Sequence, residues 1–418
     1  MDKIPLHIVI LAGGDSKRIG TGGPKALLDL CGLPLIEHIF RACKDLDAAS
    51  CTLVLGPTHR PLIENWLVDS DYSGWNIVEQ PQALGTGDAV RCALDSIDGD
   101  GQILVLCGDT PLIESETLEL LISQGNSMLT AEVDSPYGLG RIIRSDSGEL
   151  IDIVEEVDAD ETQLEINEIN SGVYVLDIAS LRESLQEASV ENNQNEIYLT
   201  HSAVSVLKSK AGSTITLPIE ESDQVLGVNT LSEFAWVTRL MREKILEEHL
   251  SFGVILDDPS TIFIEVDVAI SPGARVMPFS VLRKGVRVGK DCVVGPFAHL
   301  RSGVEMMEDS VVGNFVEVKN TTWCDKTLAL FPDTVTTRGQ KHLRELISVC
   351  TNSRAVLIPC ISRSDMEIFA PCDLADPLYG QLFREAISMG VEVIPCAFGF
   401  FLDHITWEGV KPFQLTQK

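Results

Sequence analysis

Between Ile264 and Val312 an apolar residue recurs at every sixth position: Ile264, Ile270, Val276, Leu282, Val288, Val294, Leu300, Met306 and Val312. Four residues after each stands a small or β-branched one, running from Val268 and Ala274 through Ser280, Val286, Cys292, Ala298, Val304 and Ser310 to Val316. A period of six fits neither a helix nor an ordinary strand. It is the rhythm of a β-helix, in which short strands each send one apolar residue inward and stack on the coil before. With three hexapeptides to a turn, the segment predicts about three turns. After Glu317 the rhythm stops.

Upstream the pattern is that of alternating strands and helices. His7–Leu11 reads as a buried strand that runs into Ala12-Gly13-Gly14-Asp15-Ser16-Lys17-Arg18, with Gly22-Gly23-Pro24-Lys25 beyond it and an amphipathic segment from Pro34 to Lys44. Strand, glycine loop and helix in that order present backbone N–H groups to phosphates, and Arg18 and Lys25 could neutralise their charge. A purely structural turn is the alternative. The loop is neither G-x-x-x-x-G-K-[ST] nor G-x-G-x-x-G. Further strands are expected at Leu53–Leu55, Ile77–Glu79, Ile103–Cys107, Leu129–Val133 and Val173–Leu176, with helices at Gly87–Ser96, Glu116–Ile122 and Ile197–Leu207. This is the pattern of a doubly wound α/β domain, whose ligands lie at the carboxyl ends of the strands. Leu84-Gly85-Thr86-Gly87 opens a helix there, and Gly108-Asp109 ends a strand. Asp109 is placed to hold a Mg²⁺ that bridges substrate phosphates, or simply to cap a helix or turn.

Leu231–Leu250 has helical spacing at Phe234, Val237, Leu240, Met241 and Ile245 and reads as a connector helix. Beyond the hexapeptides, a strand at Phe315–Lys319 precedes a helix carrying Leu343, Leu346, Ile347 and Cys350 on one face. Ala355–Ile361 then reads as a strand, Pro377–Met389 as a helix and Val391–Ala397 as a strand, which together make a small α/β unit.

Charge separates the same parts. The 418 residues carry a net charge of −30. From Lys319 onward there are ten Lys/Arg against eleven Asp/Glu, so almost all of the excess lies in residues 1–318. That part should repel nucleic acid and anionic membrane; the near-neutral tail is not so constrained. The opening MDKIPLHIVILAGG has too short an apolar run for a secretory leader, and no stretch approaches the ~18 apolar residues of a membrane span. Eleven scattered cysteines without a C-x-x-C pair read as small buried hydrophobes of a cytoplasmic chain.

The words LAGGDSKRIG…PK, EQPQALGTGDA, GDTPLI, GLGRI, VEEVDA, EINSGVYV, IYLT and LGVNT stand in order along the chain. With the hexapeptides, they make residues 6–320 resemble the bacterial bifunctional N-acetylglucosamine-1-phosphate uridylyltransferase / glucosamine-1-phosphate acetyltransferase family. The resemblance implies UTP and N-acetylglucosamine 1-phosphate as substrates and Mg²⁺ as cofactor, in the service of cell-wall precursor synthesis. By position it assigns Leu11, Ala12, Gly14, Lys25, Gln80, Gly85 and Thr86 to the nucleotide, with Arg18 and Lys25 facing its phosphates. Gly140, Glu155, Asn170 and Asn229 fall to the sugar, and Asp109 and Asn229 to the metal. Gly13, Ser16, Lys17 and Cys107 depart from the family's usual residues. LAGG-x-S-x-R is closer to the related molybdenum-cofactor nucleotidyltransferases, so another sugar-phosphate or cofactor nucleotidyltransferase is the alternative. The family's acetyltransferase half packs as trimers. Arg301 and Lys319 match early positions of its sugar site, but the stretch with its catalytic His has no counterpart, and neither His342 nor His404 falls in hexapeptide rhythm. No acetyltransferase activity is therefore expected; the resemblance leaves open a homo-oligomer through the β-helix, and the shortened solenoid does not fix the oligomeric state.

FVEVKN, FPDTVTTRGQKHLREL, DPLYGQLFREA and GVEVIP make residues 315–418 resemble the C-terminal part of the sugar fermentation stimulation protein family. That resemblance implies a PD-(D/E)xK nuclease-type fold with DNA-binding character, and Glu317 and Lys319 as its E-x-K. A strand alternating charged and apolar residues accounts for the same two positions. The family's upstream half, with its partner aspartate, has no counterpart, so an intact nuclease is not expected; a DNA-associated regulator is the reading that would make the tail functional. Phe315–Asn320 belongs to both resemblances, and the chain reads as an in-frame join there, made by recombination between two genes or by faulty sequence assembly. The whole is expected to be α/β: a doubly wound nucleotide-diphospho-sugar transferase domain over 1–229, a connector helix over 230–250, a short left-handed β-helix over 251–317, and a partial α/β nuclease-like unit over 318–418.

Overall fold

The computed structural model describes residues 4–14, 22–188, 192, 196–209, 215–219, 222–312, 316–321, 323–350, 354–400 and 405–415. Arg18, Phe315 and His404 lie outside the described residues, and Glu317 and Lys319 are described in their backbone alone. The chain divides into two compact units, Met1–Glu247 and Glu248–Lys418.

The first unit is built on a nine-stranded sheet: β1 (Leu6–Leu11), β2 (Ser50–Leu55), β3 (Asn76–Glu79), β4 (Gln102–Cys107), β5 (Ser127–Glu132), β6 (Arg141–Arg144), β7 (Leu150–Val154), β8 (Glu168–Asp177) and β9 (Ile215–Ile219). The order is β9-β5-β8-β4-β1-β2-β3, with β6 paired to β8 and to β7. β1 is parallel to β2 and β4, with Ile10 opposite Leu53 and Leu106. Its Ile8, Val9 and Ile10 are fully buried, as an unbroken apolar run in a central parallel strand should be. The sheet is not parallel throughout: β8 runs antiparallel to both β4 and β5.

Helices α1 (Leu35–Cys43), α2 (Arg60–Val68), α3 (Thr86–Leu94), α4 (Ser115–Ser123), α5 (Ile178–Gln186) and α6 (Leu199–Ser209) belong to this unit with a one-turn helix at Glu161–Leu164, and α7 (Leu231–Ser251) begins in it. One core cluster joins Val9, Val54 and Val105 of the sheet to Val90 and Leu94 of α3 and to Leu199, Ala203 and Leu207 of α6. Expected strands and helices are present to within a few residues, but β6, β7, β9, α2 and α5 are additional. The β6–β7 hairpin is hard to read because Arg141, Arg144 and Asp152 break its apolar run.

In the second unit ten two-residue strands run from Ile255–Leu256 to Val311–Val312 and form three parallel sheets. Phe263–Ile264 pairs with Val281–Leu282, which pairs with His299–Leu300, so partners stand one three-hexapeptide turn apart. Ile264, Val276, Leu282 and Val294 are at most 1% exposed, and Ala274, Ser280, Val286 and Cys292 are fully buried beside them. The inward pair is thus the pair of positions marked by the sequence period, except at the end of the β-helix, where Val304, Ser310 and Val312 are only half-buried.

The tail holds a five-stranded sheet in which Val316–Thr321 is an edge strand, parallel to Val356–Ile361. Cys396–Phe400 and Ile405–Val410 follow. A second sheet joins Cys324–Asp325, Leu328–Phe331 and Ile368–Pro371. Helices α8 (Thr337–Val349) and α9 (Pro377–Ser388) share a core with Leu343, Leu346, Tyr379 and Phe383. The strand expected over Val391–Ala397 is split into Glu392–Val393 and Cys396–Phe400. Pro395 lies in the break and has no N–H to give a ladder. Among the described residues no helix is long and apolar enough to cross a membrane.

Candidate active site

The carboxyl ends of β1 and β4 lie side by side, Leu11 opposite Cys107. Beyond β4, the Gly108 N–H donates to Leu11 O at 2.8 Å, so the two loops leave the sheet in contact. There is no room between them: a Cβ on Gly108 would stand 2.8 Å from Ala12 Cβ and 2.9 Å from Leu11 O. Two cavities open on this edge.

The first, of about 280 Å³, is lined by Leu11, Ala12, Gly14, Lys25, Gln80, Gly85, Thr86 and Asp109, among others. Gln80 is buried, and its amide donates to Gly85 O and Asp88 Oδ2, each at 3.0 Å. Gly85 precedes α3 with φ +102°, and a Cβ there would meet Ile197 O at 2.6 Å. Only glycine fits, because segment 196–199 is tied across this turn: Ile197 N–H donates to Leu84 O at 2.7 Å and Leu199 N–H to Thr86 Oγ1 at 3.2 Å.

The second cavity, of about 200 Å³, shares Leu11, Thr86, Cys107 and Asp109 with the first, and Gly140, Glu155, Asn170 and Asn229 also line it. A register shift in β8 between Asn170 and Tyr174 marks a bulge at this wall. Asn170 Oδ1 accepts from Tyr174 O–H at 2.8 Å and from Gly172 N–H at 3.1 Å, which leaves its NH₂ as the donor. Burial pushes the Tyr174 phenol well above its ordinary range, so it remains a donor. Burial also raises the Glu155 carboxyl, against the opposing hydrogen bond from Thr200 Oγ1 at 3.3 Å. At the seam burial pushes the Cys107 thiol up to about 12, with Asp109 adding to the shift, so it stays a neutral wall rather than a nucleophile.

Lys25, Asp109 and Asn229 meet where the cavities join. Lys25 Nζ donates to Asp109 Oδ2 at 2.5 Å, to Asn229 Oδ1 at 3.0 Å and to Val228 O at 3.1 Å. The N-terminus of α7 fixes this corner. Glu233 Oε2 accepts from Asn229 N–H at 2.6 Å and from Thr230 N–H at 2.8 Å, while Thr230 Oγ1 accepts from Glu233 N–H at 3.2 Å. This is a capping box, written in the sequence as Thr230-Leu-Ser-Glu233. Val228 N–H donates to Asp109 O at 2.9 Å and closes it.

A carboxylate and an amide oxygen converging on an ammonium are a fitting pair of donors for Mg²⁺, a hard cation that takes few protein oxygens and keeps waters or phosphate oxygens in its other positions. Among the described residues no group of three or more His, Cys, Asp or Glu could hold a metal.

The seven residues assigned to the nucleotide all line the first cavity and the four assigned to the sugar all line the second; Leu11 and Thr86 of the nucleotide set, and Asp109, line both. His59, Ile63 and Glu196 of the first cavity and Thr200 and Tyr174 of the second were not singled out from sequence. Tyr174 and Thr200 stand inside EINSGVYV and IYLT, so those words carried the signal; His59 had none. Arg301 is exposed on the β-helix, and His342 lies on α8.

The profile of the MobA-like NTP transferase domain matches residues 8–163, and that of the sugar fermentation stimulation protein RE domain matches residues 302–403. The chain is similar to two families. The bifunctional protein GlmU of Caldanaerobacter subterraneus is 37% identical over 293 residues, 69% of this chain and 63% of that protein. A sugar fermentation stimulation protein homolog of Prochlorococcus marinus is 76% identical over 103 residues, 25% of this chain and 40% of its own length. The chain thus spans less than two thirds of either relative. A UDP-glucose pyrophosphorylase solved with UDP-glucose covers 58% of this chain and 100% of its own, with 20% identity and a TM-score of 0.46. The second profile begins at Ser302, inside the last coil.

Proposed function

We propose that this chain transfers a uridylyl group from UTP to N-acetylglucosamine 1-phosphate, giving UDP-N-acetylglucosamine and pyrophosphate for cell-envelope synthesis. The observation that carries this reading is the pair of adjoining cavities that share Leu11, Thr86, Cys107 and Asp109, the first lined by all the residues assigned to the nucleotide and the second by all those assigned to the sugar.

A phosphate oxygen of the sugar phosphate attacks the α-phosphorus of UTP in line. The bond from that phosphorus to the bridging oxygen breaks, and the β- and γ-phosphates leave as pyrophosphate. Such chemistry asks for positioning and charge neutralisation rather than a covalent intermediate. Lys25 supplies a cation at the seam, and Arg18 is assigned a second. Asp109 and Asn229 would hold Mg²⁺, which when bound would offset phosphate charge. Glu155 and Asn170 offer an acceptor and a donor to the sugar's hydroxyl and amide groups.

A second reading, another sugar-phosphate or cofactor nucleotidyltransferase, is favoured by the MobA-like match and by Gly13 and Cys107 in the cavity walls. In either reading the β-helix, left-handed and joining subunits, has no acetyl transfer of its own, and residues 318–418 are a non-catalytic appendage. Pyrophosphate release measured over a panel of nucleoside triphosphates and sugar 1-phosphates separates the two. A preference of tenfold or more for UTP with N-acetylglucosamine 1-phosphate supports the first reading; a like preference for another pair supports the second.

A further inference from the structure

Glu155 and Glu156 are neighbours with opposite duties. Glu155 lines the second cavity, whereas Glu156 turns to the chain that forms its wall. Glu156 Oε2 accepts from Gly138 N–H at 2.6 Å and from Arg141 Nη2 at 3.1 Å. Arg141 is 2% exposed, and its Nη1 donates to Leu139 O. The backbone on both sides of Leu139 is thereby held by one ion pair, through an N–H on one side and a carbonyl on the other. The next residue, Gly140, accepts through its carbonyl from Asn170 N–H at 2.9 Å. Gly138, Leu139 and Gly140 all line the cavity that Asn170 and Glu155 also face.

A buried guanidinium is costly unless it is paired and hydrogen-bonded. Arg141 is buried at the head of β6, where Ile169 of β8 pairs with it. A residue chosen for packing alone would be apolar there. Its charge is explained by the loop that it ties down.

We propose that Arg141 and Glu156 are positioning residues that fix Gly138–Gly140 as one wall of the sugar cavity. This rests on the reading of that cavity as the sugar site. The pair touches no substrate; it sets the geometry that Glu155, Asn170 and the loop backbone present together.

The test is Glu156→Ala beside Glu156→Gln, in the full chain, with two readouts. The first is amide hydrogen exchange, which needs no activity: exchange at Gly138–Arg141 should rise in Glu156→Ala and less so in Glu156→Gln, which keeps an acceptor for the Gly138 N–H. The second is steady-state kinetics with whichever sugar phosphate the wild type prefers. The KM for that sugar phosphate should rise about tenfold in Glu156→Ala, a charged hydrogen bond's worth. The KM for the nucleotide and kcat should stay within about twofold, and Glu156→Gln should recover part of the loss. Unchanged exchange at Gly138–Arg141, or a KM that rises equally for both substrates, overturns the proposal. A wild type without any nucleotidyl transfer refutes the functional reading instead, and the exchange measurement still decides whether the pair holds the loop.

Discussion

Lys25 Nζ stands 2.5 Å from Asp109 Oδ2 and 3.0 Å from Asn229 Oδ1, so an ammonium occupies the point on which two oxygen donors converge. Asp109 comes from the end of β4 and Asn229 from the capped start of α7, elements far apart in sequence. Replacing Lys25 by Met removes the cation from the seam while keeping much of the side chain's bulk. The variant should fold and lose about 10²-fold in kcat, the scale of one lost charge-stabilising donor. Initial rates and a thermal melt, taken together, check it.

Glu155 sets function against stability. Burial raises its carboxyl pKa above the unfolded value, so the folded chain binds the proton more tightly. Its contribution to stability is therefore full below the unfolded pKa and is lost as pH rises through the raised folded one. At neutral pH Glu155→Gln should melt higher than the wild type, and the difference should shrink on acidification. Its KM for the sugar phosphate should rise. Melting curves from pH 4 to pH 8 carry the first claim.

The contrast between Glu155 and Glu156 also shows what sequence can convey. Glu155, Asn170 and Asn229 were legible because they sit in short words at set places along the chain. Glu156 acts through a backbone N–H and through Arg141, and nothing local in VEEVDA marks that role. The β-helix was the most legible part, since a period of six has no competing explanation and the inward residues fall on it. The hairpin β6–β7 was not, because its charged residues mask the alternation. In the tail, Pro395 carried the signal for a break that the apolar run Val391–Ala397 concealed.

Within the β-helix, Ser280 occupies an inward position that Ala274 and Ala298 fill elsewhere. It is fully buried and its hydroxyl has no hydrogen-bond partner among the described residues. A buried hydroxyl left unpaired costs free energy that an alanine avoids. Ser280→Ala should stabilise the second unit by about 1 kcal/mol, read from urea unfolding.

Asp376 ties the two tail helices together. It is 1% exposed and accepts from Thr336 N–H at 2.9 Å, Tyr379 N–H at 3.0 Å and Gln340 Nε2 at 2.9 Å. Burial acts to raise its pKa, but these hydrogen bonds outweigh it and hold the carboxyl below the usual range. Its stabilisation is present above the unfolded carboxyl pKa and is lost as pH falls through the lowered folded value. Asp376→Ala should cost about 3 kcal/mol, a helix cap and charged hydrogen bonds together. It should also flatten the acid limb of the tail's stability, followed by hydrogen exchange in α8 and α9.

If the seam of the two cavities performs nucleotidyl transfer, Asp109 is indispensable to it. The most direct test is pyrophosphate release from the full chain with UTP, N-acetylglucosamine 1-phosphate and Mg²⁺, beside an Asp109→Ala variant shown by circular dichroism to be folded. The wild type should turn over, and the variant should lose at least about 10²-fold. Equal turnover in both, or a folded wild type that binds UTP and releases no pyrophosphate with any sugar phosphate, would contradict that reading.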